Sequence, residues 1–331
     1  MTLVNIIGNF ITSVAPVFFH FKEKISEHII ISDKKEIKKA QKFAKSIENF
    51  CNEFGYEIKN RIVLIEEDSY KEIKNFENEL INKKDVYINT TDGLSFINTI
   101  LSYELLDKFN FISYDIFENE LIITGNKKIK KYKCKNMDIK EHLILKGIDK
   151  FTFALSHKYD KKLLKELFYN TDFSDFVVYL GQNKSFPKGF KKIKKILKQL
   201  NITLDFNKSY KVITGDLFEY FVFEYLSERN YFDDIKISVK VSENGIKNEF
   251  DILAIKNNHL YIIECKNKKI NKILDSLIYK YIALRKNLDY DSKAFIISLD
   301  TKFLENLELR ANLNNVFLIS FKKLNKIGGI L

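Results

Sequence analysis

The sequence predicts a two-domain α/β protein, and three observations carry that reading. Apolar strand candidates alternate with helix-length stretches through the first 106 residues, the pattern of a parallel sheet with helices on both faces. A second series of strands and helices, containing a short hairpin at 248–268, follows a lysine-rich connection. At 331 residues and 45% hydrophobic content, the chain can also bury two cores. The expected division is 1–132, a helical connection at 133–205, and 206–331.

The first domain opens with an apolar strand over 3–7 and a polar loop over 8–13, followed by a mixed stretch to Lys24 without an assigned element. A second strand, 28–32, ends in Ser32-Asp33-Lys34. Ile37, Ala40, Phe43, Ala44 and Ile47 recur at helical spacing, which predicts a helix over 35–52. A third strand over 61–66 and a charged helix over 70–83 come next. The fourth strand, 85–89, runs into Thr90-Thr91-Asp92-Gly93 and a helix over 94–106. Loops at the carboxyl ends of such strands bind ligands, and helix N-termini there favour anions. A hairpin over 121–132, turning at Thr124-Gly125-Asn126, closes the domain.

The connection holds short amphipathic helices over 138–147 and 161–169, with no chemistry assigned to His142 or His157. Residues 186–200, FPKGFKKIKKILKQL, are the most basic stretch. Ile193, Ile196, Leu197 and Leu200 share one helical face, with Lys191, Lys194, Lys195 and Lys198 mostly opposite. Three readings are open: a solvated helix docked between domains, a phosphate-contacting helix, and a membrane-surface helix.

In the second domain, Phe218, Phe221, Val222, Tyr225 and Leu226 set the core face of a helix over 216–229. Glu219 and Glu224 lie at opposite edges of that arc, so only one of them can face a centre on the following strands. After a strand over 235–241, the hairpin turns at Lys256-Asn257-Asn258. Side chains alternate along a strand, so Glu264 and Lys266 share one side while Cys265 points away. Asp251, near the start of the first hairpin strand, can meet Glu264 on the second. A helix follows, marked by Ile270, Ile273, Leu274, Leu277, Ile278, Tyr281 and Ile282; then a strand over 294–299, a helix from about Thr301, and a strand over 316–320.

An acid followed on the adjoining strand by acid–any–lysine suits metal-dependent phosphodiester hydrolysis. Hard divalent cations take carboxylate and carbonyl oxygens, and a lysine positions water or offsets phosphate charge. Glu-x-Lys triplets also arise by chance, and alone they read as a solvated strand face. Here the triplet ends the apolar run Tyr261-Ile262-Ile263, and charges at the end of a buried strand usually have a purpose. The formal charge of +11, from 55 basic and 44 acidic residues, favours an anionic partner. Abundant Lys, Asn, Ile and Phe reflect AT-rich coding, so charge alone supports nucleic acid weakly. Cys51, Cys134 and Cys265 show no paired spacing, which indicates neither a disulfide framework nor a zinc knuckle. No apolar run has membrane-spanning length and no signal-peptide pattern opens the chain, so a cytoplasmic protein without membrane attachment is expected.

Asp251 with Glu264-Cys265-Lys266, preceded by TGDLFEYFVFEYL at 214–226, resembles the PD-(D/E)xK nuclease superfamily of restriction-endonuclease-like fold. The resemblance implies Glu219, Asp251, Glu264 and Lys266 as the catalytic set, with Glu224 as fallback for Glu219. It also implies that Asp251, Glu264 and the backbone carbonyl of Cys265 hold Mg²⁺ or Mn²⁺.

The strand and polar loop over 4–13, the Ser32-Asp33-Lys34 turn and above all Asn89-Thr90-Thr91-Asp92-Gly93 resemble the CARF (CRISPR-associated Rossmann fold) domain, a sensor of cyclic oligoadenylates. Asn89, Thr91 and Gly93 match an Asn-x-Thr-Gly-Gly-Thr-Lys pattern at that last site; Asp92, Leu94 and Ser95 depart from it. The alternative for Thr91 and Gly93 is an ordinary strand-to-helix turn with a capping hydroxyl. The resemblance implies a ligand site drawn from Asn9, Thr12, Ser32, Asp33, Asn89, Thr91, Asp92 and Gly93. Together the halves look like the CARF-plus-nuclease effectors of type III CRISPR defence. That implies a homodimer, a cyclic oligoadenylate activator (cyclic tetra-adenylate expected first), and DNA or RNA as substrate. A ligand-independent restriction or repair nuclease, or a non-catalytic binding regulator, is the competing reading.

Overall fold

The computed structural model describes residues 1–331 apart from 9–10, 67–68, 94, 126–127, 149, 155–157, 244, 269, 289–291 and 301, and apart from the side chains of 11, 12, 243 and 287. The chain divides into two units, Met1–Lys150 with Ser242–Asn244, and Phe151–Val241 with Gly245–Leu331.

The first unit alternates strand and helix: β1 (Thr2–Ile6), α1 (Ile11–Phe21), β2 (Glu27–Ser32), α2 (Ile37–Phe54), β3 (Lys59–Leu64), α3 (Tyr70–Ile81), β4 (Val86–Asn89), α4 (Ser95–Leu105) and β5 (Asn110–Asp115). The hairpin β6 (Glu120–Gly125) and β7 (Lys128–Lys133) and helix α5 (Ile139–Leu145) complete it. The sheet order is β3-β2-β1-β4-β5-β6-β7, parallel through β5 and antiparallel beyond it. Strand order reverses between β1 and β4, the place where such sheets open a ligand crevice at their carboxyl ends. Val4, Ile6, Ile29, Ile31 and Ile88 pack with Ile73, Phe76 and Leu101 of α3 and α4. From α1 and α2, the buried rings of Phe18 and Phe43 meet His28 of β2 edge-on.

Helix α1 lies where the sequence reading places a polar loop and an unassigned stretch. Val14, Ala15, Val17, Phe18 and Phe19 are all buried, so the helix is apolar nearly all round and carries no polar face to mark its period. Pro16 sits inside it, a residue that ordinarily argues against a helix interior. Strand β5 is a second element that the sequence reading does not assign.

The second sheet starts at β8 (Lys150–Thr152) and continues with β9 (Asp234–Glu243), β10 (Ile246–Lys256), β11 (His259–Lys266), β12 (Lys293–Ser298) and β13 (Val316–Ser320). They lie in the order β13-β12-β11-β10-β9-β8. The β10–β11 pair is antiparallel, whereas β11–β12 and β12–β13 are parallel. Asn257 and Asn258 both have positive φ, 51° and 65°, the twist that a two-residue hairpin turn needs and asparagine tolerates.

Helices α6 (Lys161–Phe168), α7 (Phe173–Asn183), α8 (Lys191–Gln199), α9 (Phe206–Lys211) and α10 (Leu217–Glu228) precede or flank these strands, and α11 (Leu274–Leu288) and α12 (Glu305–Asn312) follow. Val212–Asp216 forms a π-helical turn that joins α9 to α10. Of the connecting residues, α5 packs on α2, while α6 packs on α10 and on α8. Helix α8 buries Ile193, Ile196 and Leu197 in the core of the second unit. Its apolar face is therefore occupied, which removes the membrane-surface reading. Lys191, Lys194, Lys195 and Lys198 line an open hollow of about 460 Å³ on its outer side.

Candidate functional site

The hairpin register fixes the acidic site. Ile252 pairs with Ile263, and one further step puts Asp251 level with Glu264 on the same face of the sheet. Asp251 accepts the backbone N–H of Cys265 at 2.8 Å. Glu264 is nearly inaccessible to solvent, at 3% exposure. One of its oxygens takes the Tyr281 hydroxyl of α11 and the other pairs with the Lys266 ammonium. The Cys265 thiol points to the opposite face and joins the core, as strand alternation requires.

Glu219 comes to this centre from α10. Asp216, Glu219, Asp251, Glu264 and Lys266 line one cleft of about 640 Å³, with Lys158, Lys211, Lys240 and Lys280 around its rim. Glu224 is turned elsewhere and pairs with Lys161 of α6 at 2.9 Å. Glu219 lies in the first turn of α10, directly after the π turn. Asn267, just beyond β11, donates its amide to the Ile213 carbonyl at 3.2 Å. Inserted π turns recur at functional sites, and this one is tied to the end of the strand that carries Glu264 and Lys266.

The electrostatics are those of crowded acids. Burial, then the charge of Asp216, pushes the Glu219 carboxyl up to about 7, with Glu264 adding to the effect and Lys266 opposing it. Burial, then Glu264 and Glu219, pushes Asp251 up to about 8, against the pull of Lys266 and the Cys265 N–H. Burial disfavours the Lys266 ammonium, yet Glu264 and Asp251 outweigh it and raise the group above its ordinary range. Acids held this close are stabilised in their ionised form by added positive charge, whether a cation or a lysine. Among the described residues, no three His, Cys, Asp or Glu side chains form a closed metal-binding cluster by themselves. The oxygen-rich donor set of Asp251, Glu264 and the Cys265 carbonyl, with Glu219 beside them, nevertheless fits a hard divalent cation.

In the first unit the ligand residues expected from the sequence mostly shape the loops. Ser32 is fully buried and donates to the Asp33 carbonyl, while Asp33 accepts the Glu36 N–H at 2.8 Å and caps the turn into α2. Asn89 is also fully buried; it donates to Asn5 and receives both the N–H and the hydroxyl of Thr91. Asn89 is thus engaged inside the sheet. Asp92 and Gly93 form the turn beyond it, with Gly93 at φ 112°. A Cβ on Gly93 would meet Ile6 at 2.5 Å, and one on Gly8 would meet the Gly93 nitrogen at 2.6 Å. Two glycines therefore let the loops after β1 and β4 touch backbone to backbone at the switch point. The sequence reading does not single out Gly8 for this contact, since only the fold shows its neighbour. Asn9 and the Thr12 side chain lie outside the described residues.

Residues 207–331 match the family model described as Card1-like, endonuclease domain. A search of curated proteins finds no match. Among solved structures, protein VC1899 from Vibrio cholerae is similar with a TM-score of 0.76 at 16% identity, over 99% of this chain and 96% of that one. Can2 from Sulfobacillus thermosulfidooxidans, solved in complex with cyclic tetra-adenylate, gives a TM-score of 0.75 at 13% identity over 99% and 97%. A type III CRISPR defence DNA nuclease activated by cyclic oligoadenylate gives 0.60 at 13% identity, over 99% of this chain and 51% of that one. The chain shares the fold of VC1899 and Can2 over nearly its whole length, and residues 207–331 carry the match to the Card1-like endonuclease domain.

Proposed function

We propose that this protein is an endonuclease of type III CRISPR defence whose phosphodiester cleavage depends on a divalent metal and is switched on by a cyclic oligoadenylate. The observation that carries the reading is the convergence of Glu219, Asp251, Glu264 and Lys266 in one cleft of the endonuclease domain. Asp251, Glu264 and the Cys265 carbonyl would hold Mg²⁺ or Mn²⁺, with Glu219 completing the set. The cation would supply a Lewis acid that acidifies water and offsets charge growing on the phosphate.

The side chains have separate tasks. Asp251 holds the Cys265 peptide in place through its N–H. Tyr281 fixes the rotamer of Glu264 from below. Lys266 keeps its proton beside Glu264 and Asp251, so it presents a positive charge to the scissile phosphate and orients the attacking water. The rim lysines favour an anionic backbone without selecting sequence.

The activator is a cyclic oligoadenylate, with cyclic tetra-adenylate first, by likeness to the Can2 complex and by the crevice between β1 and β4. Two copies of the chain would present matching loops to a ring of repeated nucleotides, which fits a homodimer about a two-fold axis. Binding activates only if the ring prefers the cutting arrangement over the resting one.

A cleavage matrix tests the reading. Purified protein is incubated with Mg²⁺, Mn²⁺ or EDTA, with single- and double-stranded DNA and RNA, and with cyclic tri-, tetra- or hexa-adenylate or none. Cleavage that needs both a cation and one ring size is expected. Full cleavage without any ring overturns the activation, and full cleavage in EDTA overturns the metal.

A further inference from the structure

A chain of buried and half-buried hydrogen bonds crosses the first unit from one side of the sheet toward the other. The Tyr114 N–H of β5 donates to the Thr91 hydroxyl at 2.8 Å. Thr91 donates to the Asn89 side-chain amide oxygen from its N–H at 3.0 Å and from its hydroxyl. The Asn89 amide donates to Asn5 of β1 at 2.8 Å, and the Asn5 amide reaches His28 Nε2 of β2 at 2.9 Å. His28 Nδ1 meets the Asn60 oxygen of β3 at 2.9 Å. The Asn60 amide ends the series on the Ala44 carbonyl of α2 at 3.0 Å.

Amide nitrogens only donate and amide oxygens only accept. Asn5 therefore requires a bare Nε2 on His28, and Asn60 requires a proton on Nδ1. One neutral tautomer satisfies both ends, and any other leaves two like groups facing each other. The sheet register supports the arrangement: Asn5 lies directly opposite Asn89, and His28 directly opposite Asn60. Asn5, His28 and Asn89 are all fully buried, so water cannot replace a lost partner and a misdirected amide carries the cost of an unsatisfied group.

We propose that Asn5, His28 and Asn60 are positioning residues for the loop at Thr91–Gly93, setting through their donor order which way Asn89 points and hence how that loop is held. The reason lies in the polarity. If His28 stops accepting from Asn5, the Asn5 amide is free to turn over, and its nitrogen then faces the nitrogen of Asn89. Asn89 must turn in response, and the Thr91 N–H and hydroxyl lose their common acceptor. Thr91 directly precedes Asp92 and Gly93, which rest against Gly8 at the switch point. This inference rests on the proposed function for the identity of the ligand, but the chain itself stands on the first unit alone.

Two variants separate donor order from bulk. Gln at position 28 keeps one donor and one acceptor; Leu fills similar space and has neither. The His28→Leu variant, which loses the hydrogen bonds to both Asn5 and Asn60, is expected to need about tenfold more cyclic tetra-adenylate for half-maximal cleavage, at an unaltered maximal rate. His28→Gln is expected to restore most of the difference. In parallel, hydrogen exchange of the Thr91 and Tyr114 amides, read without ligand, should speed up in His28→Leu and return toward wild type in His28→Gln. Leu equal to wild type in both readings, or Gln no better than Leu, overturns the proposal. If wild type itself binds no cyclic tetra-adenylate, the functional reading fails, and the amide exchange alone decides the positioning role.

Discussion

The amide of Asn267 donates to the carbonyl of Ile213, bridging the end of β11 and the π turn that introduces α10. One residue before Asn267 is Lys266, and six residues after Ile213 is Glu219, so this bond ties together the two elements that build the acidic cleft. Both groups are buried from water.

Removing that tie should loosen the cleft without touching the reacting groups. For Asn267→Leu, turnover is expected to fall about tenfold, equivalent to about 1.4 kcal/mol of transition-state positioning. Affinity for uncleaved nucleic acid in EDTA should change little. Single-turnover cleavage and equilibrium binding measured on the same preparation check the split.

Asp251 is held at a cost to the fold. Its carboxyl is buried beside Glu264 and Glu219, and like charges in a site of low polarity oppose ionisation. Asp251→Asn keeps an oxygen for the Cys265 N–H and removes the group whose ionisation the site opposes. The metal-free variant is therefore expected to melt a few degrees higher than wild type, about 1 kcal/mol of relief for a unit of this size, while Mn²⁺-dependent cleavage is lost. Thermal melts in EDTA and in Mn²⁺ check it: wild type should gain stability with the cation, and the variant should gain almost none. A variant as active as wild type at saturating Mn²⁺ would count against the metal centre.

Lys266→Ala has the opposite sign for stability. Lys266 is the cation paired with Glu264, and its loss leaves a buried carboxylate with only the Tyr281 hydroxyl. Destabilisation of about 1–3 kcal/mol is expected in EDTA. Cleavage should vanish while binding of cyclic tetra-adenylate, measured by titration calorimetry, stays at the wild-type value. Retained full activity would remove Lys266 from its assigned role.

These contrasts show what the sequence makes readable. Asp251, Glu264 and Lys266 are legible because strand period two and a two-residue turn decide which side chains share a face, and both are local properties. Glu219 is legible only as one of two acids on a helix; the cleft and the Lys161–Glu224 pair distinguish them. Helix α1 is hidden by being buried on all sides, since amphipathic period needs a wet face. Asn267 is hidden for another reason: its partner is 54 residues away in a turn whose irregularity no spacing rule announces. The same holds for Asn5, His28 and Asn60, polar strand residues that no spacing rule connects until strand order places them side by side.

That placement gives the first unit a defined acid sensitivity. His28 is fully buried, and burial lowers its pKa from 6.5 to about 4, with the hydrogen bond to Asn60 partly opposing the shift. The unfolded chain thus binds a proton at higher pH than the folded one, so stability rises with pH between these values and is lost as pH falls through them. A difference of this size is worth about 3 kcal/mol. Stability is expected to be unaffected by His28 above pH 7, to decline from about pH 6.5, and to have lost that amount near pH 4. His28→Gln, which cannot take up the proton, should be less stable than wild type at neutral pH or equal to it, but its denaturation midpoint should fall less steeply from pH 6.5 to pH 4. Urea titrations of both proteins across that range check the difference in slope, and parallel curves would remove His28 as the titrating group.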